Sequence, residues 1–229
     1  MARLRRDDFR KFEDEIVEDV KPLKIKSVTG INTLDDDTWK LIEEKIINNP
    51  NLKWEDTAPI GVLESNDSNS FSQSSNSSVR DCKICFVNYD EELDTVFKRI
   101  VGEYNDEISG WKYDINTLET LQLTHYGPGD FYDWHLDEFP RDLVKNDIVF
   151  NRKISVTIWL NDPQEYEGGE FDLEVRGPSL PDWKRRYDTF KLPKKSIIIF
   201  PSNRFHRVRP VTSGIRKSLV LWFQGPPFR

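Results

Sequence analysis

The feature that most restricts the fold of this chain is a series of short apolar segments, separated by strong turn signals, that begins at Trp111. Each segment is rich in Val, Ile, Leu or Phe and has the length of one β-strand. The segments are residues 120–126, 153–160, 170–175, 196–200 and 218–223. The turn signals are residues 127–130, 161–163, 167–169 and 213–214. We therefore predict a β-rich core over residues 111–225, and we interpret Gly168-Gly169 as a plain turn with positive φ.

Length and composition indicate one main domain. The chain has 229 residues, of which 37% are hydrophobic, and this is enough for one full hydrophobic core. We predict a β-rich α+β fold with a jelly-roll-like barrel and supporting N-terminal helices. Residues 1–30 are read as a charged N-terminal extension, and residues 31–229 as a single domain.

The segments before Trp111 predict helices and one loop. Apolar residues at helical spacing predict helices over about residues 35–49, after acidic residues that favour a helix N-terminus, and over residues 90–104. A third helix over residues 7–20, which Pro22 would end, is a weaker pattern. Residues 64–78 are nearly all Ser, Asn, Asp and Gln, and we expect a mobile loop there. Whether this loop folds over a site as a lid is left open.

Charge and apolar content disfavour several classes of protein. The formal net charge is −7, whereas a chain that binds nucleic acid mainly through phosphates commonly has a basic excess. No apolar run approaches the roughly 20 residues that cross a bilayer, and the N-terminus has no apolar signal-peptide core. We expect a soluble cytoplasmic protein with no nucleic-acid or membrane partner.

The only two cysteines, Cys82 and Cys85, lie in a segment over residues 79–87 that we interpret as one extended strand. Positions three apart on a strand point to opposite faces. A single C-x-x-C pair also cannot supply four thiolates to a zinc ion. We therefore expect neither a zinc site nor a redox pair.

The residues with the clearest chemical meaning are His135, Asp137 and His206. Residues two apart on a strand share a face, so His135 and Asp137 can reach one ion. Two imidazoles and one carboxylate are the facial set that non-haem iron(II) oxygenases use, with positions left open for oxygen and a cosubstrate. An isolated His-x-Asp pair is more often an ordinary polar pair, but these two histidines are two of only three in the chain. The third, His125, is expected to be structural.

Arg216 follows the second histidine by ten positions. A guanidinium is permanently charged and forms two parallel hydrogen bonds with a carboxylate. Together with the candidate iron ligands, this predicts 2-oxoglutarate as the cosubstrate.

Several strings in the expected order and spacing give the chain a family resemblance over about residues 80–225. They are residues 121–126, 132–137, 152–161, 167–170 and 200–211, together with Gly214, Arg216 and Trp222. The chain resembles the 2-oxoglutarate and iron(II)-dependent dioxygenases, specifically the prolyl 4-hydroxylase-like branch. The resemblance implies a double-stranded β-helix (jelly roll, cupin-like). It also implies Fe(II), 2-oxoglutarate and O2 as cofactors, and ascorbate as a further candidate.

The resemblance also implies residue roles. His135, Asp137 and His206 would be the metal ligands, and Arg216 would bind the distal carboxylate of the cosubstrate. Tyr126 would face the cosubstrate and substrate, and the alternative is a buried aromatic with a satisfied hydroxyl. In some relatives a tyrosine at the position of Trp159 helps to bind the distal carboxylate. We therefore consider Ser155 or Thr157, on the same strand, as the source of the missing hydrogen bond.

The resemblance implies hydroxylation of an unactivated C–H bond, with a prolyl residue of a protein or peptide as the expected target. The alternatives are a hydroxylase of a free amino acid or other small metabolite, an oxidative demethylase of nucleic-acid bases, and a non-catalytic β-barrel that binds a ligand.

The sequence also suggests roles for two further groups of residues around the expected site. Arg204, Arg207 and Arg209 would either present charge to an acidic substrate or lie on a solvated strand edge. Residues such as Ile197, Ile199 and Leu221 are expected to form a dry apolar wall around the reaction site.

Overall fold

The computed structural model describes residues 30–56, 79–88, 90–145, 148–175 and 186–227. Two helices precede most of the strands: α1 (Asp36–Ile42) continues into a π-helical turn (Glu43–Ile47), and α2 (Glu91–Glu103) continues into a second one (Tyr104–Ile108). The early strands are β1 (Gly30–Thr33), β2 (Glu55–Asp56), β3 (Arg80–Asp81), β4 (Lys83–Val87), β5 (Thr117–Leu118), β6 (Leu121–Tyr126), β7 (Phe131–His135) and β8 (Leu143–Lys145). The later strands are β9 (Ile148–Trp159), β10 (Tyr166–Gly168), β11 (Phe171–Glu174), β12 (Tyr187–Phe190), β13 (Ser196–Pro201), β14 (His206–Val208), β15 (Val211–Gly214) and β16 (Arg216–Gly225).

The strands form two large antiparallel sheets. The major sheet has the order β1-β13-β9-β16-β6-β4-β2, with β5 paired to β16 and β8 paired to β9. The minor sheet has the order β12-β11-β14-β7-β3, and β10 pairs with β15 in a separate ribbon. This arrangement confirms the β-rich fold with a double-stranded β-helix and supporting helices.

The predicted strands of the core are all present, and two of them are longer than the apolar runs suggested. Strand β9 begins at Ile148 and β16 extends from Arg216 to Gly225. The prediction of one strand over residues 79–87 was wrong, because the chain passes from the minor sheet to the major sheet at Cys82. Cys82 consequently packs between the sheets, while Cys85 packs against the helices, and no disulfide joins the two.

Both predicted helices in the described part of the chain are confirmed, and each begins at an aspartate cap. The Asp35 carboxylate accepts a hydrogen bond from the Thr38 N–H at 2.7 Å, and Asp90 accepts from the N–H groups of Glu92 and Leu93. The second helix continues through its π-helical turn to Ile108, beyond the predicted end at residue 104. The predicted helix over residues 7–20 and the predicted loop over residues 64–78 lie outside the described residues.

Period-two alternation along the strands divides the interior into two apolar clusters. One face of the major sheet packs against the helices, and its residues include Ile197, Ile199 and Leu221. The opposite face packs against the minor sheet, and its residues include Ile198 and Phe200. The expected apolar wall of Ile197, Ile199 and Leu221 was therefore wrong, because these side chains lie behind the sheet that faces the site. No helix in the described part of the chain is long and apolar enough to span a membrane.

Candidate active site

His135, Asp137 and His206 converge between the two sheets. His135 ends β7 and His206 begins β14, and the two residues are directly paired in the minor sheet. One ligand atom from each of the three side chains lies within 4.8 Å of the others. The Asp137 carboxylate oxygens are 3.8 Å from His135 Nε2 and 3.3 Å from His206 Nε2. Two ring nitrogens and one carboxylate oxygen in this arrangement fit a metal ion of the Fe(II) type.

Backbone carbonyls fix the orientation of both imidazoles. His135 Nδ1 is 2.7 Å from the carbonyl oxygen of Asp133, and His206 Nδ1 is 3.0 Å from that of Arg204. A carbonyl oxygen only accepts hydrogen bonds, so Nδ1 carries the proton in each ring. The Nε2 lone pairs are therefore free to bind a metal, and such hydrogen bonds typically orient metal-binding histidines.

The charge states of the cluster suit metal binding. Burial, with repulsion from His206, lowers the pKa of His135 to about 3, so the ring is neutral at physiological pH. Burial opposes ionisation of Asp137, but the neighbouring His206 and His135 lower the pKa of this carboxyl overall. The site therefore presents a neutral His135 imidazole and an ionised Asp137 carboxylate, which are the forms that bind a divalent ion.

Tyr132 lies directly beside the candidate metal site. Its ring stacks on His135, with centroids 3.4 Å apart and planes within 7°. Burial, and then the charge of Asp137, raise the pKa of Tyr132 to about 12, so its hydroxyl remains protonated. The Arg80 guanidinium carbon also lies over this ring, 5.2 Å from its centroid.

Arg216 lies in the same narrow cavity as the three candidate ligands. Its side chain is 1% exposed, and its Nη1 donates a hydrogen bond to the Ser218 hydroxyl at 3.0 Å. Nε and Nη2 are buried and have no hydrogen-bond partner among the described residues. A buried guanidinium with two unused donors fits a carboxylate ligand, because an unpaired buried charge is otherwise unfavourable.

The other candidate residues from the sequence have different surroundings. Tyr126 and Thr157 line the cavity, and the Tyr126 ring centroid lies 5.5 Å from the Arg216 guanidinium carbon. The Ser155 hydroxyl is instead 2.9 Å from the hydroxyl of Ser202. His125 lies apart from the triad, as expected, and packs against Trp54 in a tilted arrangement with ring centroids 4.0 Å apart.

Next to Arg216 lie two buried donors that the sequence interpretation missed or set aside. The hydroxyl of Tyr166 and Nε1 of Trp159 are buried, and neither has a hydrogen-bond partner in the described ranges. Both side chains pack at Arg216: the Trp159 ring centroid is 5.4 Å from the guanidinium carbon, and the charge of Arg216 acts on the Tyr166 hydroxyl. Tyr166 comes from the β10–β15 ribbon, which the turn at Gly168-Gly169 positions. Both glycines have positive φ, as predicted.

An open groove of about 910 Å³ leads from Asp137 and Tyr132 to the protein surface. Arg152 crosses it: two of its nitrogens donate to the Glu119 carboxylate at 2.6 and 2.7 Å, and its guanidinium carbon lies 4.0 Å from the Trp222 ring centroid. Trp222 Nε1 is buried without a hydrogen-bond partner in the part of the chain that the structure describes. The groove therefore combines an aromatic surface with polar groups next to the candidate metal site.

Arg207 and Arg209 do not form a simple solvated strand edge. Nε of Arg207 and Nε of Arg209 both donate to the same oxygen of the buried Asp172, at 2.7 and 2.9 Å. Arg207 also lies over Trp134, 4.7 Å from its ring centroid. The two arginines thus join strands of the minor sheet, and Arg204 contributes its carbonyl to His206.

Comparisons with known proteins agree with this geometry. Residues 121–224 match the family model of the 2OG-Fe(II) oxygenase superfamily. A PKHD-type hydroxylase of Picosynechococcus sp. is 35% identical over 108 residues, which are 47% of this chain and 43% of that protein. The chain thus spans less than half of the length of this relative.

Two solved structures have the same fold. A prolyl-4-hydroxylase of Pseudomonas putida aligns with a TM-score of 0.56 and 16% identity, over 87% of this chain and 94% of that one. A prolyl hydroxylase of Trichoplax adhaerens, in complex with a hypoxia inducible factor peptide fragment, aligns with a TM-score of 0.57 and 18% identity, over 96% and 93%. The chain is thus similar to the 2OG-Fe(II) oxygenase superfamily over residues 121–224, and it shares the fold of these two structures.

Proposed function

We propose that this chain is a 2-oxoglutarate- and Fe(II)-dependent dioxygenase that hydroxylates a prolyl residue of a protein or peptide. His135, Asp137 and His206 would bind the iron, and Arg216 would bind the distal carboxylate of 2-oxoglutarate. The observation that carries the proposal is the cavity that these four residues share, with candidate metal ligands and a buried guanidinium with unused donors. The two groups match the two ends of a chelating diacid.

Iron(II), 2-oxoglutarate and oxygen, when bound, supply the oxidising power that converts a C–H bond to an alcohol, with succinate and carbon dioxide as coproducts. The residues of the chain bind and orient. His135 and His206 present Nε2 lone pairs, since their Nδ1 protons are held by backbone carbonyls. Arg216, Tyr166 and Trp159 present donors to the diacid, in place of the tyrosine found in some relatives.

Apolar side chains keep the cavity dry around these polar groups. Phe171, Val208 and Val220 line it, and the Phe171 ring centroid lies 5.7 Å from that of His206. Exclusion of water strengthens the interaction between Arg216 and a carboxylate. Thr157 faces the same cavity and is a candidate for a further hydrogen bond to the cosubstrate.

The groove supports a peptide substrate over a small metabolite. It is open and large, its wall carries the Trp222 ring and the exposed Phe86, and Arg152 and Glu119 offer polar groups along it. A free amino acid would leave most of this volume unfilled, whereas an extended peptide can cover the aromatic surface and meet the polar groups. The peptide bound to the Trichoplax relative is a further reason to propose this class of substrate.

Two further expectations from the sequence remain predictions. Ascorbate is proposed as a reductant that keeps the iron in the Fe(II) state, and the cytoplasm is proposed as the location. Neither affects the assignment of the cavity.

The proposal is tested by supplying Fe(II), 2-oxoglutarate and a library of proline-containing peptides, with matched peptides in which alanine replaces proline. We expect succinate formation that depends on proline, and one added oxygen atom on the prolyl residue by mass spectrometry. The His206→Ala variant serves as the control for metal dependence. Succinate formation stimulated by free amino acids but by no peptide would overturn the proposed substrate class.

A further inference from the structure

Ser202 connects the candidate ligand Asp137 to the centre of the major sheet. Its carbonyl oxygen accepts hydrogen bonds from the N–H groups of Asp137 at 3.1 Å and Glu138 at 3.0 Å. Its own N–H donates to the carbonyl oxygen of Lys153 at 3.0 Å. Its side chain is fully buried, and its hydroxyl lies 2.9 Å from that of Ser155. Every polar group of Ser202 is thus engaged, and each contact leads toward Asp137 or β9.

The turn that contains Ser202 also holds a second candidate ligand. This turn, Pro201–Arg204, is closed by the Arg204 N–H, which donates to the carbonyl oxygen of Pro201 at 3.1 Å. The carbonyl oxygen of Arg204 then accepts the hydrogen bond from His206 Nδ1. One short turn therefore fixes the backbone of Asp137 and the ring of His206, although these residues are far apart in the sequence.

Ser155 provides a rigid anchor for this turn. It lies in β9, opposite Phe200 of β13 on one side and Trp222 of β16 on the other. A strand that is hydrogen-bonded along both edges cannot shift without breaking backbone hydrogen bonds. The turn follows β13, and it is joined to β9 by the hydrogen bond from the Ser202 N–H to Lys153 and by the hydroxyl pair. The hydroxyl pair therefore transfers the rigidity of β9 to the turn.

We propose that Ser155 and Ser202 are positioning residues for the metal centre, whose hydroxyl pair aligns Asp137 and His206 through the Pro201–Arg204 turn. The inference rests on the proposed function. It assigns Ser155 to alignment of the metal ligands, and not to the cosubstrate hydrogen bond considered from the sequence. Thr157 lies two residues farther along the same face of β9 and lines the cavity, so it is the matched comparison.

The first test is a Co(II) titration of the whole chain, followed by absorption spectroscopy, with a 2-oxoglutarate titration of each Co(II)-saturated protein. Ser155→Ala should weaken Co(II) binding by about tenfold, the lower range for residues that orient metal ligands, and should leave the 2-oxoglutarate affinity unchanged. Thr157→Val should show the reverse pattern. A Ser155→Ala variant that loses 2-oxoglutarate affinity but keeps Co(II) affinity would overturn the inference.

A second comparison separates alignment from a purely structural role. Each single alanine variant leaves one buried hydroxyl unpaired, so its Tm should fall, whereas the Ser155→Ala/Ser202→Ala double variant removes both hydroxyls and should recover Tm. We expect Co(II) affinity to stay reduced in the double variant, because the side-chain contact that aligns the turn is still missing. Recovery of both Tm and Co(II) affinity would overturn the inference and leave the proposed function intact. Failure of the unmodified chain to bind Co(II) would overturn both.

Discussion

The hydroxyl of Tyr166 lies beside the guanidinium of Arg216, and this hydroxyl and the Nε and Nη2 atoms of Arg216 have no hydrogen-bond partner among the described residues. Their side chains flank Gly169, where an added Cβ would lie 3.1 Å from Arg216 Cδ and 3.3 Å from Tyr166 Cε2. Burial raises the pKa of Tyr166, so its hydroxyl is protonated and can donate. The pair is therefore prepared for an anionic ligand.

Substitution of Arg216 should weaken the binding of 2-oxoglutarate and leave the binding of the metal unchanged. Lysine keeps the charge but loses the two parallel hydrogen bonds, so Arg216→Lys should raise the 2-oxoglutarate dissociation constant by about tenfold, and Arg216→Ala should raise it by about a hundredfold. Calorimetric titration of the Co(II)-loaded variants measures both values. An unchanged affinity in Arg216→Ala would show that the diacid binds elsewhere.

Tyr166→Phe removes one buried donor beside Arg216. The loss of one hydrogen bond to a carboxylate should weaken 2-oxoglutarate binding by about tenfold, with little change in Co(II) affinity. Tyr113→Phe is a suitable control, because Tyr113 packs at the cluster between the major sheet and the helices. Equal effects of the two substitutions would contradict the role of Tyr166.

Asp172 should contribute to the stability of the minor sheet. It is fully buried and accepts hydrogen bonds from Arg207, Arg209 and the Thr189 hydroxyl. Asp172→Asn removes the charge that these donors share, and we expect the free energy of unfolding to fall by about 2 kcal/mol in urea denaturation. Asp188→Asn, at an exposed position on the neighbouring strand, should have little effect.

His125 should make the protein less stable in acid. Burial, and then repulsion from Lys217 and Lys83, lower its pKa from 6.5 to about 4. The unfolded chain therefore takes up a proton that the folded chain does not, and stability is lost as pH falls from 6.5 to about 4. His125→Phe keeps a ring against Trp54 but cannot titrate.

Measurements of Tm from pH 7.5 to about 4 test this expectation. The unmodified chain should lose more Tm than His125→Phe over this range, after both are referenced to their values at the upper pH. Parallel curves would show that His125 does not titrate in this window.

Local pattern was sufficient to predict the strands of the core and to select the residues that meet in the cavity. The segments around Leu123, Val156 and Ile198 are apolar and bounded by turns, so their strands follow from local sequence. His135 and Asp137 reach the same place because they are two residues apart in extended chain.

The alternation of side chains between the two faces of a strand also shows why Leu221 does not line the cavity. Arg216 and Leu221 are five residues apart on one strand, and an odd separation places them on opposite faces. Leu221 therefore packs against the helices, and it cannot line the cavity that contains Arg216.

Contacts between distant segments account for what local pattern missed. Tyr166 lies next to Arg216 because β10 pairs with β15, and Ser202 meets Ser155 because β13 lies beside β9. The change of sheet at Cys82 likewise depends on which strands lie on either side, β7 for Arg80 and β6 for Cys85. None of these relations has a signal within a single segment.

The central claim is that His135, Asp137 and His206 bind one Fe(II) ion, which 2-oxoglutarate then chelates while Arg216 binds its far end. Anaerobic addition of Fe(II) and 2-oxoglutarate, followed by visible absorption spectroscopy, tests this most directly. We predict a metal-to-ligand charge-transfer band for the unmodified chain and its absence in His206→Ala, with the far-ultraviolet circular dichroism unchanged. A charge-transfer band of equal intensity in His206→Ala, or no band in the folded unmodified chain, would contradict the account.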